Sequence, residues 1–405
     1  MEITPTNPRV AHELSVFRRG VVDLIDAAEL EARIVASHQS GRPLRVKFGM
    51  DPTSADLHVG HAVQLMKLRA IQELGHTIVL IVGDATAMVG DPSGRNKLRP
   101  PLSRADIDAN LATYVDQAGK VLDMSRTEVR RNSEWFDTMR FEDVLRLLGR
   151  ATVARMLERD TFEKRMSENE PIGVHELLYP LMQGWDSVMI RCDLELGGTD
   201  QLFNLLRGRD LQAQEGQVGQ ICFTMPLVNG ADGRKMSKSY GNAISFHDAP
   251  FDMFQKVVKT VPDTALADWY TLLTSVPEAE VATLLAGDHR EAQLRLATEI
   301  TSFFHGADAG KSAREEYERR ARGEGPGDVE ERRWPGEHAG KSLPLANLLA
   351  AVKLANTNSD ARRLVQQNAV KVNGAVVADP VRAYTEADLP LLVQTGKARF
   401  AKIVR

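Results

Sequence analysis

The chain has 405 residues, 26% of them charged, and a formal net charge of −4. That length exceeds one ordinary core and fits two or three domains. No stretch approaches the ~18 apolar residues of a membrane span, the opening MEITPTNPRV lacks the basic-then-apolar pattern of a secretion signal, and Cys192 and Cys222 are too few for a disulfide framework or a cysteine zinc site. Composition therefore favours a soluble cytoplasmic chain with no membrane partner.

In chain order, Leu44 to Phe48 reads as a short buried strand that turns out through Gly49-Met50-Asp51-Pro52. Apolar residues then recur with helical spacing at Val59, Val63, Met66, Ala70 and Leu74, and Gly75 stands where a helix stops. Thr77 to Val82 (TIVLIV) is a continuous β-branched run, the pattern of a strand buried on both faces. Strand, helix, strand over this length predicts a βαβ crossover and hence an α/β fold with a doubly wound parallel sheet. Ala105 to Met166 is mostly helical in pattern, and its length makes it an insertion between two halves of the sheet. Further strands are expected at Asp193 to Leu196 and Gln220 to Leu227, and helices again from Pro250 to about Arg320. Residues 321–340, rich in Gly, Pro and charge, read as a linker. Two helical stretches, a Val372-Asn373-Gly374 turn and short strands follow. From Ser342 onward nine Lys or Arg stand against four acidic residues, so a basic tail follows an acidic body and is suited to a polyanion.

Pro52 to His61 (PTSADLHVGH) sets two histidines at the mouth of the first helix with Gly60 between them. A helix N-terminus offers free N–H groups and positive dipole to phosphate, a glycine lets a nucleotide approach the backbone, and imidazoles donate to phosphate oxygens. No third ligand stands at metal spacing. Lys235-Met236-Ser237-Lys238-Ser239, flanked by Asp232-Gly233 and Gly241, puts two lysines on a glycine-bordered loop that can close over a triphosphate; alone it would read as a polar surface loop. Tyr179, Gln183 and Asp186 at i, i+4 and i+7 share a helix face, an odd core stripe but a natural polar pocket. Gly197-Gly198-Thr199-Asp200-Gln201 and Gly90-Asp91-Pro92-Ser93-Gly94-Arg95 follow predicted strands, where doubly wound sheets hold ligands.

HVGH together with KMSKS is the signature pair of the class I aminoacyl-tRNA synthetases, and the order of all these elements resembles the bacterial tyrosyl-tRNA synthetase family over essentially the whole chain. The resemblance implies a Rossmann-like catalytic domain over 1–230 with a helical insertion at about 105–190, a KMSKS loop at 231–244, an α-helical anticodon-side domain at 245–320, the linker at 321–340 and an S4-like α+β RNA-binding domain at 341–405. It implies tyrosine–tRNA ligation through tyrosyl-adenylate, with ATP as substrate together with Mg²⁺ and no tightly bound cofactor, tRNA(Tyr) as partner and a homodimer joined through the insertion. By motif position, Asp186 would accept the phenol hydrogen; Tyr179, Gln183 and Asp91 would hold the ammonium group; Gln201 would lie near the carboxylate; and Gly49 and Asn132 would line the tyrosine pocket. His58, His61, Lys235 and Lys238 would act on the phosphates, with Asp51, Gly60, Gly198, Asp200 and Met236 also at ATP. Arg362, Arg363 and Lys371 would face tRNA. The chain departs from the best-known form at three positions: Lys47 where a tyrosine meets the phenol, Trp185 where tyrosine is commoner, and Glu195 where glutamine is seen. Tryptophanyl synthetases, small nucleotidyltransferases sharing only His-x-Gly-His, and synthetase-derived RNA-binding proteins are the competing readings. The S4-like tail and the pocket triad weigh against the first, KMSKS with an RNA-binding domain against the second, and the intact catalytic motifs against the third.

Overall fold

The structure, a computed structural model, describes residues 7–52, 56–92, 104–230, 232–234, 236, 240–322, 329–396 and 399–405. Two compact units divide the chain, Met1–Phe304 and His305–Arg405.

In the first unit, six described strands form one sheet: β1 (Asp23–Ile25), β2 (Arg45–Met50), β3 (Thr77–Val82), β4 (Thr127–Arg131), β5 (Leu194–Gly198) and β6 (Ile221–Met225), in the order β1-β6-β5-β2-β3-β4. All pairs are parallel except β1 with β6. The chain winds outward from β2 through β3 to β4, then returns to the other side of β2 for β5 and β6. The winding reverses between β2 and β5, and in such sheets ligands lie beyond the carboxyl ends at that reversal. Those ends carry Gly49, Asp51, Gly197 and Gly198. The TIVLIV strand forms over the predicted residues, with all but Thr77 buried, as expected for a strand covered on both faces.

Helices α1 (Pro8–Arg18) and α2 (Ala27–Ser40) precede β2, and α3 (Val59–Glu73) makes the crossover to β3. A one-turn helix, α4 (Thr86–Val89), follows β3. The insertion holds α5 (Arg104–Ala118), α6 (Ser133–Phe136), α7 (Phe141–Leu148), α8 (Val153–Leu157) and α9 (Asp160–Ser167), and it also supplies β4. The helical pattern of this stretch therefore conceals an edge strand. With one strand neighbour and a TEVRR sequence whose Val129 is itself exposed, β4 lacks the apolar run that marks the inner strands. Helices α10 (Tyr179–Ile190) and α11 (Leu202–Gln214) flank β5. They cross at glycine: a Cβ on Gly184 would come 2.9 Å from Leu211 Cδ1 and 3.0 Å from the backbone N of Gly208. This close crossing fixes the height of α10, which carries the pocket triad. Helices α12 (Pro250–Thr260), α13 (Leu266–Leu273), α14 (Glu278–Leu285) and α15 (His289–His305) complete the helical stretch that precedes the second unit.

The second unit contains α16 (Ala307–Ala321), then β7 (Glu331–Arg333), β8 (Leu343–Pro344), α17 (Leu345–Ala351), α18 (Asn358–Gln366), β9 (Val370–Val372), β10 (Ala375–Val376), β11 (Ala383–Tyr384), β12 (Leu391–Thr395) and β13 (Arg399–Val404). Its main sheet runs β10-β9-β12-β13-β7, and Asn373 and Gly374, both at positive φ, close the β9–β10 hairpin. The stretch 321–340 is not all connection. Strand β7 pairs in parallel with β13, and Trp334 is buried in the same core as Leu343, Leu349 and Ile403. Charge and glycine around this strand mask it in the sequence.

Candidate active site

Asp186 lies on α10, buried at 3% exposure. Trp135 Nε1 donates to its Oδ1 at 3.0 Å and Asn132 Nδ2 to its Oδ2 at 3.5 Å. Asn132 follows β4; its Oδ1 accepts from the Ala85 N–H at 2.9 Å and its Nδ2 also donates to Thr86 Oγ1 at 3.1 Å. Helix α6 and its N-cap, directly after the edge strand, thus aim two donors at one carboxylate. Burial pushes the Asp186 carboxyl up to about 7, against the opposing pull of Lys47, Trp135 and Asn132.

Tyr179 and Gln183 share the face of α10 with Asp186, as their spacing predicts. The Tyr179 hydroxyl donates to Asp51 Oδ2 at 2.8 Å, and Thr86 Oγ1 donates to Asp51 Oδ1 at 2.8 Å. Asp51 therefore stands among the triad's partners, over Gly83, where any Cβ would come 1.9 Å from its Oδ1. Desolvation pushes the Asp51 carboxyl up to about 7 despite these two donors, and Asp91 and Asp84 add to the rise. Burial, and then the Asp51 charge, hold the Tyr179 phenol well above its ordinary value, so its proton stays on oxygen. Asp91 accepts from Gln201 Nε2 at 2.8 Å and pairs with the buried Arg159 at 3.1 Å. Asn204 Nδ2 donates at 2.9 Å both to Gln183 Oε1 and to Gln201 Oε1. Gln183, Gln201 and Asp91 thus belong to one hydrogen-bonded network through Asn204, while Tyr179 is held by Asp51. At Gly49 a Cβ would meet nothing within 4 Å, so the strand end faces open space.

The histidine motif opens α3. His58 is the N-cap, its backbone N–H donates to His61 Nδ1 at 3.1 Å, and the two rings lie 3.9 Å apart. Gly60 cannot grow: a Cβ there would come 2.9 Å from His58 Nδ1. Residues after the lysine motif return to this helix, with Val59 N–H bonded to Ile244 O at 2.9 Å and His58 bridging Ser245. Met236, 2% exposed, lies so that a Cβ on Gly60 would be 3.8 Å from its own Cβ. Lys235 and Lys238, with Ser93 to Arg95 and Thr53 to Ala55, lie outside the described residues. Asp200 follows β5, and its Oδ1 would stand 2.6 Å from a Cβ on Gly198, so only glycine leaves that strand end open.

The family profile described as tRNA synthetases class I (W and Y) matches residues 39–321, and that of the S4 domain matches 343–386. This chain belongs to the class I tRNA synthetases. It is 45% identical to the tyrosine–tRNA ligase of Cupriavidus pinatubonensis over 98% of this chain and 96% of that one, and 45% identical to that of Symbiobacterium thermophilum over 98% of each. Among solved structures, a C-terminally truncated mitochondrial tyrosyl-tRNA synthetase of Aspergillus nidulans is similar with a TM-score of 0.63 and 26% identity, covering 77% of this chain and 94% of that chain. The synthetase is thus α/β in its first unit with an S4 domain behind it, and ATP is its substrate.

Three groups in the synthetase site escape motif reading. Trp135 lies three residues beyond Asn132, and the only sign of it was a tryptophan beside a family position. Arg159 reaches Asp91 from the insertion, and nothing in its local sequence distinguishes it from its charged neighbours. Glu195 is the third. Its carboxylate pairs with Lys47 at 3.0 Å, both side chains being buried to within 1%, which accounts for two of the departures together. Trp185 is partly buried between two apolar clusters, one holding Trp135 and Ile190, the other Leu147 and Leu181. It joins the insertion to α10. Arg362 and Arg363 are exposed on α18, and Lys371 is half-buried on β9.

Proposed function

The chain is a tyrosine–tRNA ligase, and we propose that its pocket reads the phenol with Asp186 and the ammonium group with Tyr179, Gln183 and Asp91. The observation that carries the reading is the doubly held Asp186 carboxylate. Trp135 and Asn132 occupy one lone pair on each oxygen, and a carboxylate accepts about four hydrogen bonds, so it can still accept the substrate O–H. Because the Tyr179 hydroxyl donates to Asp51, its oxygen is left to accept. With Gln183 Oε1 and the Asp91 carboxylate this makes three acceptors for three ammonium hydrogens.

The tyrosine carboxylate then attacks the α-phosphate of ATP, forming tyrosyl-adenylate and releasing pyrophosphate; a ribose hydroxyl of the terminal adenosine of tRNA(Tyr) takes the tyrosyl group. A carboxylate is already a nucleophile, so the first step needs alignment and charge stabilisation more than a base. His58 and His61 at the N-terminus of α3, with Lys235 and Lys238, supply that charge; Gly60 and Gly198 leave room for the nucleotide, with Asp200 at its ribose and Met236 seating the loop. ATP enters as its magnesium complex. Asp51, at the ATP side of the pocket, also orients Tyr179 by accepting its hydroxyl. The exposed Phe141, Leu145 and Leu148, spaced i, i+4 and i+7 on α7, form an apolar face suited to a second copy, so the enzyme works as a homodimer. Arg362, Arg363 and Lys371 meet tRNA phosphates, as cytoplasmic charging requires.

Amino-acid-dependent ATP–pyrophosphate exchange, run with tyrosine, tryptophan and phenylalanine in parallel, tests the pocket. Exchange with tyrosine alone is expected; exchange favouring tryptophan would refute the reading.

A further inference from the structure

Lys47 and Glu195 are Cα partners on the paired strands β2 and β5, and side-chain alternation turns both toward α10. All three hydrogens of the Lys47 ammonium are used: Glu195 Oε1 at 3.0 Å, the Gln183 carbonyl at 2.6 Å and Ser187 Oγ at 2.8 Å. Glu195 is equally saturated. Its Oε1 meets Lys47 and accepts from Gln183 Nε2 at 3.1 Å; its Oε2 accepts from Ser187 Oγ at 3.0 Å and from Gln220 Nε2. Four acceptor sites thus face four donors. Such a pair is a poor source of net stability, because desolvation consumes most of its attraction. Its consequences lie in orientation and in charge.

We propose that the Lys47–Glu195 pair is a positioning device for the substrate pocket: Glu195 locks the Gln183 amide with its oxygen toward the substrate ammonium, and Lys47 sustains the ionised form of Asp186 that receives the phenol. The first half follows from valence. A carboxylate only accepts, so the Gln183 NH₂ must point at Glu195 and its Oε1 must point away, where Asn204 donates to it at 2.9 Å. A glutamine at 195 would turn an NH₂ toward at least one of these donors, and the Gln183 amide would lose its fixed sense. The second half follows from charge. The groups acting on Asp186 are Lys47 from β2 and Glu195 from β5, together with the donors Trp135 and Asn132 beyond β4; Lys47 favours ionisation and Glu195 opposes it. Burial pulls the Lys47 ammonium down, but Glu195 and Asp186 outweigh it and leave its pKa raised, so the charge is present throughout the working range.

The inference rests on the tyrosine-pocket reading, and its test separates the two. Tyrosine and its analogue without the amino group, 3-(4-hydroxyphenyl)propionate, are titrated by calorimetry from pH 5.5 to 8.5 into the full chain and into Lys47→Met, Glu195→Gln and the double variant. Both ligands need ionised Asp186, so their affinity falls as pH drops through its pKa. Lys47→Met is expected to move that midpoint up for both ligands, with roughly tenfold weaker binding at pH 6.5. Glu195→Gln is expected to move it down. At pH 8.5 the same variant should lose about tenfold in affinity for tyrosine and little for the analogue, since only tyrosine carries the ammonium that Gln183 reads. The double variant should return the midpoint toward that of the unmodified chain. A general packing defect would weaken both ligands alike and move no midpoint in opposite directions. Equal losses for both ligands in Glu195→Gln, or midpoints that move together, would overturn the proposal while the unmodified chain still binds tyrosine; no binding of tyrosine by the unmodified chain would instead overturn the pocket reading. Were Lys47→Met unable to fold, Glu195→Gln, with its unchanged shape, would decide the matter through the ratio of the two affinities.

Discussion

Asp186 holds its place through two donors that come from outside its own helix. Asp186→Ala removes a charged acceptor from the phenol and strands Trp135 Nε1 in a buried site. A hydrogen bond to a charged group contributes about 1.5–3 kcal/mol, so kcat/KM for tyrosine in pyrophosphate exchange is expected to fall about 10- to 150-fold, with KM for ATP nearly unchanged. Near-normal use of tyrosine would remove Asp186 from the pocket. The unmodified chain should also bind tyrosine more weakly as pH falls below about 7, because burial has raised the Asp186 carboxyl to that value and a protonated carboxyl opposes the phenol with its own O–H. Affinity that is flat from pH 8 to 6 would show that the ionised form is not the one that binds.

At the scale of elements, α10 is set by its crossing with α11. Gly184→Ala places a methyl 2.9 Å from Leu211 Cδ1 and 3.0 Å from the Gly208 backbone, and backbone cannot yield as a flexible side chain can. Overpacking of this kind costs about 1–3 kcal/mol, more than the ~1 kcal/mol that alanine gains over glycine in a helix. A lower melting temperature and a higher KM for tyrosine are expected; calorimetry and exchange kinetics read both. Met236, which stands between Lys235 and Lys238 in the sequence, is buried near Gly60. Lys235→Ala and Lys238→Ala should slow adenylate formation while leaving the tyrosine dissociation constant in place, the signature of contacts made mainly in the transition state; stopped-flow fluorescence separates the two quantities. Elements with an apolar pattern, such as β3 and α3, are legible from the sequence, and so is any polar group repeated on one helix face. What stayed hidden belongs to polar edges and to pairs joined only by folding. Strand β4 has too few apolar residues to announce itself, and Glu195 means nothing until β5 lies beside Lys47. Arg159 is one arginine among many until α9 is docked.

Across the whole molecule, the groups proposed for catalysis fall in Met1–Phe304 and those proposed for tRNA in His305–Arg405. The boundary for separating them is earlier than glycine content suggests. A cut at Gly340 would leave β7 and Trp334 without the sheet and core they join, whereas ending the chain at Arg322 removes β7, that sheet and that core together and leaves only α16 of the second unit in place. The shortened protein is expected to keep tyrosine-dependent exchange and to lose most tRNA charging; its residual affinity for tRNA should depend less steeply on salt, because fewer phosphate contacts release fewer counterions. Loss of exchange as well would mean that the tail supports the catalytic fold. The most direct test of the account is to charge unfractionated bacterial tRNA with the full chain, ATP, magnesium and all twenty amino acids, then release and identify what was esterified and sequence the charged tRNA. Tyrosine on tRNA(Tyr) alone is the expected result; tryptophan on its own tRNA, or adenylate formation with no charging of any tRNA, would contradict it.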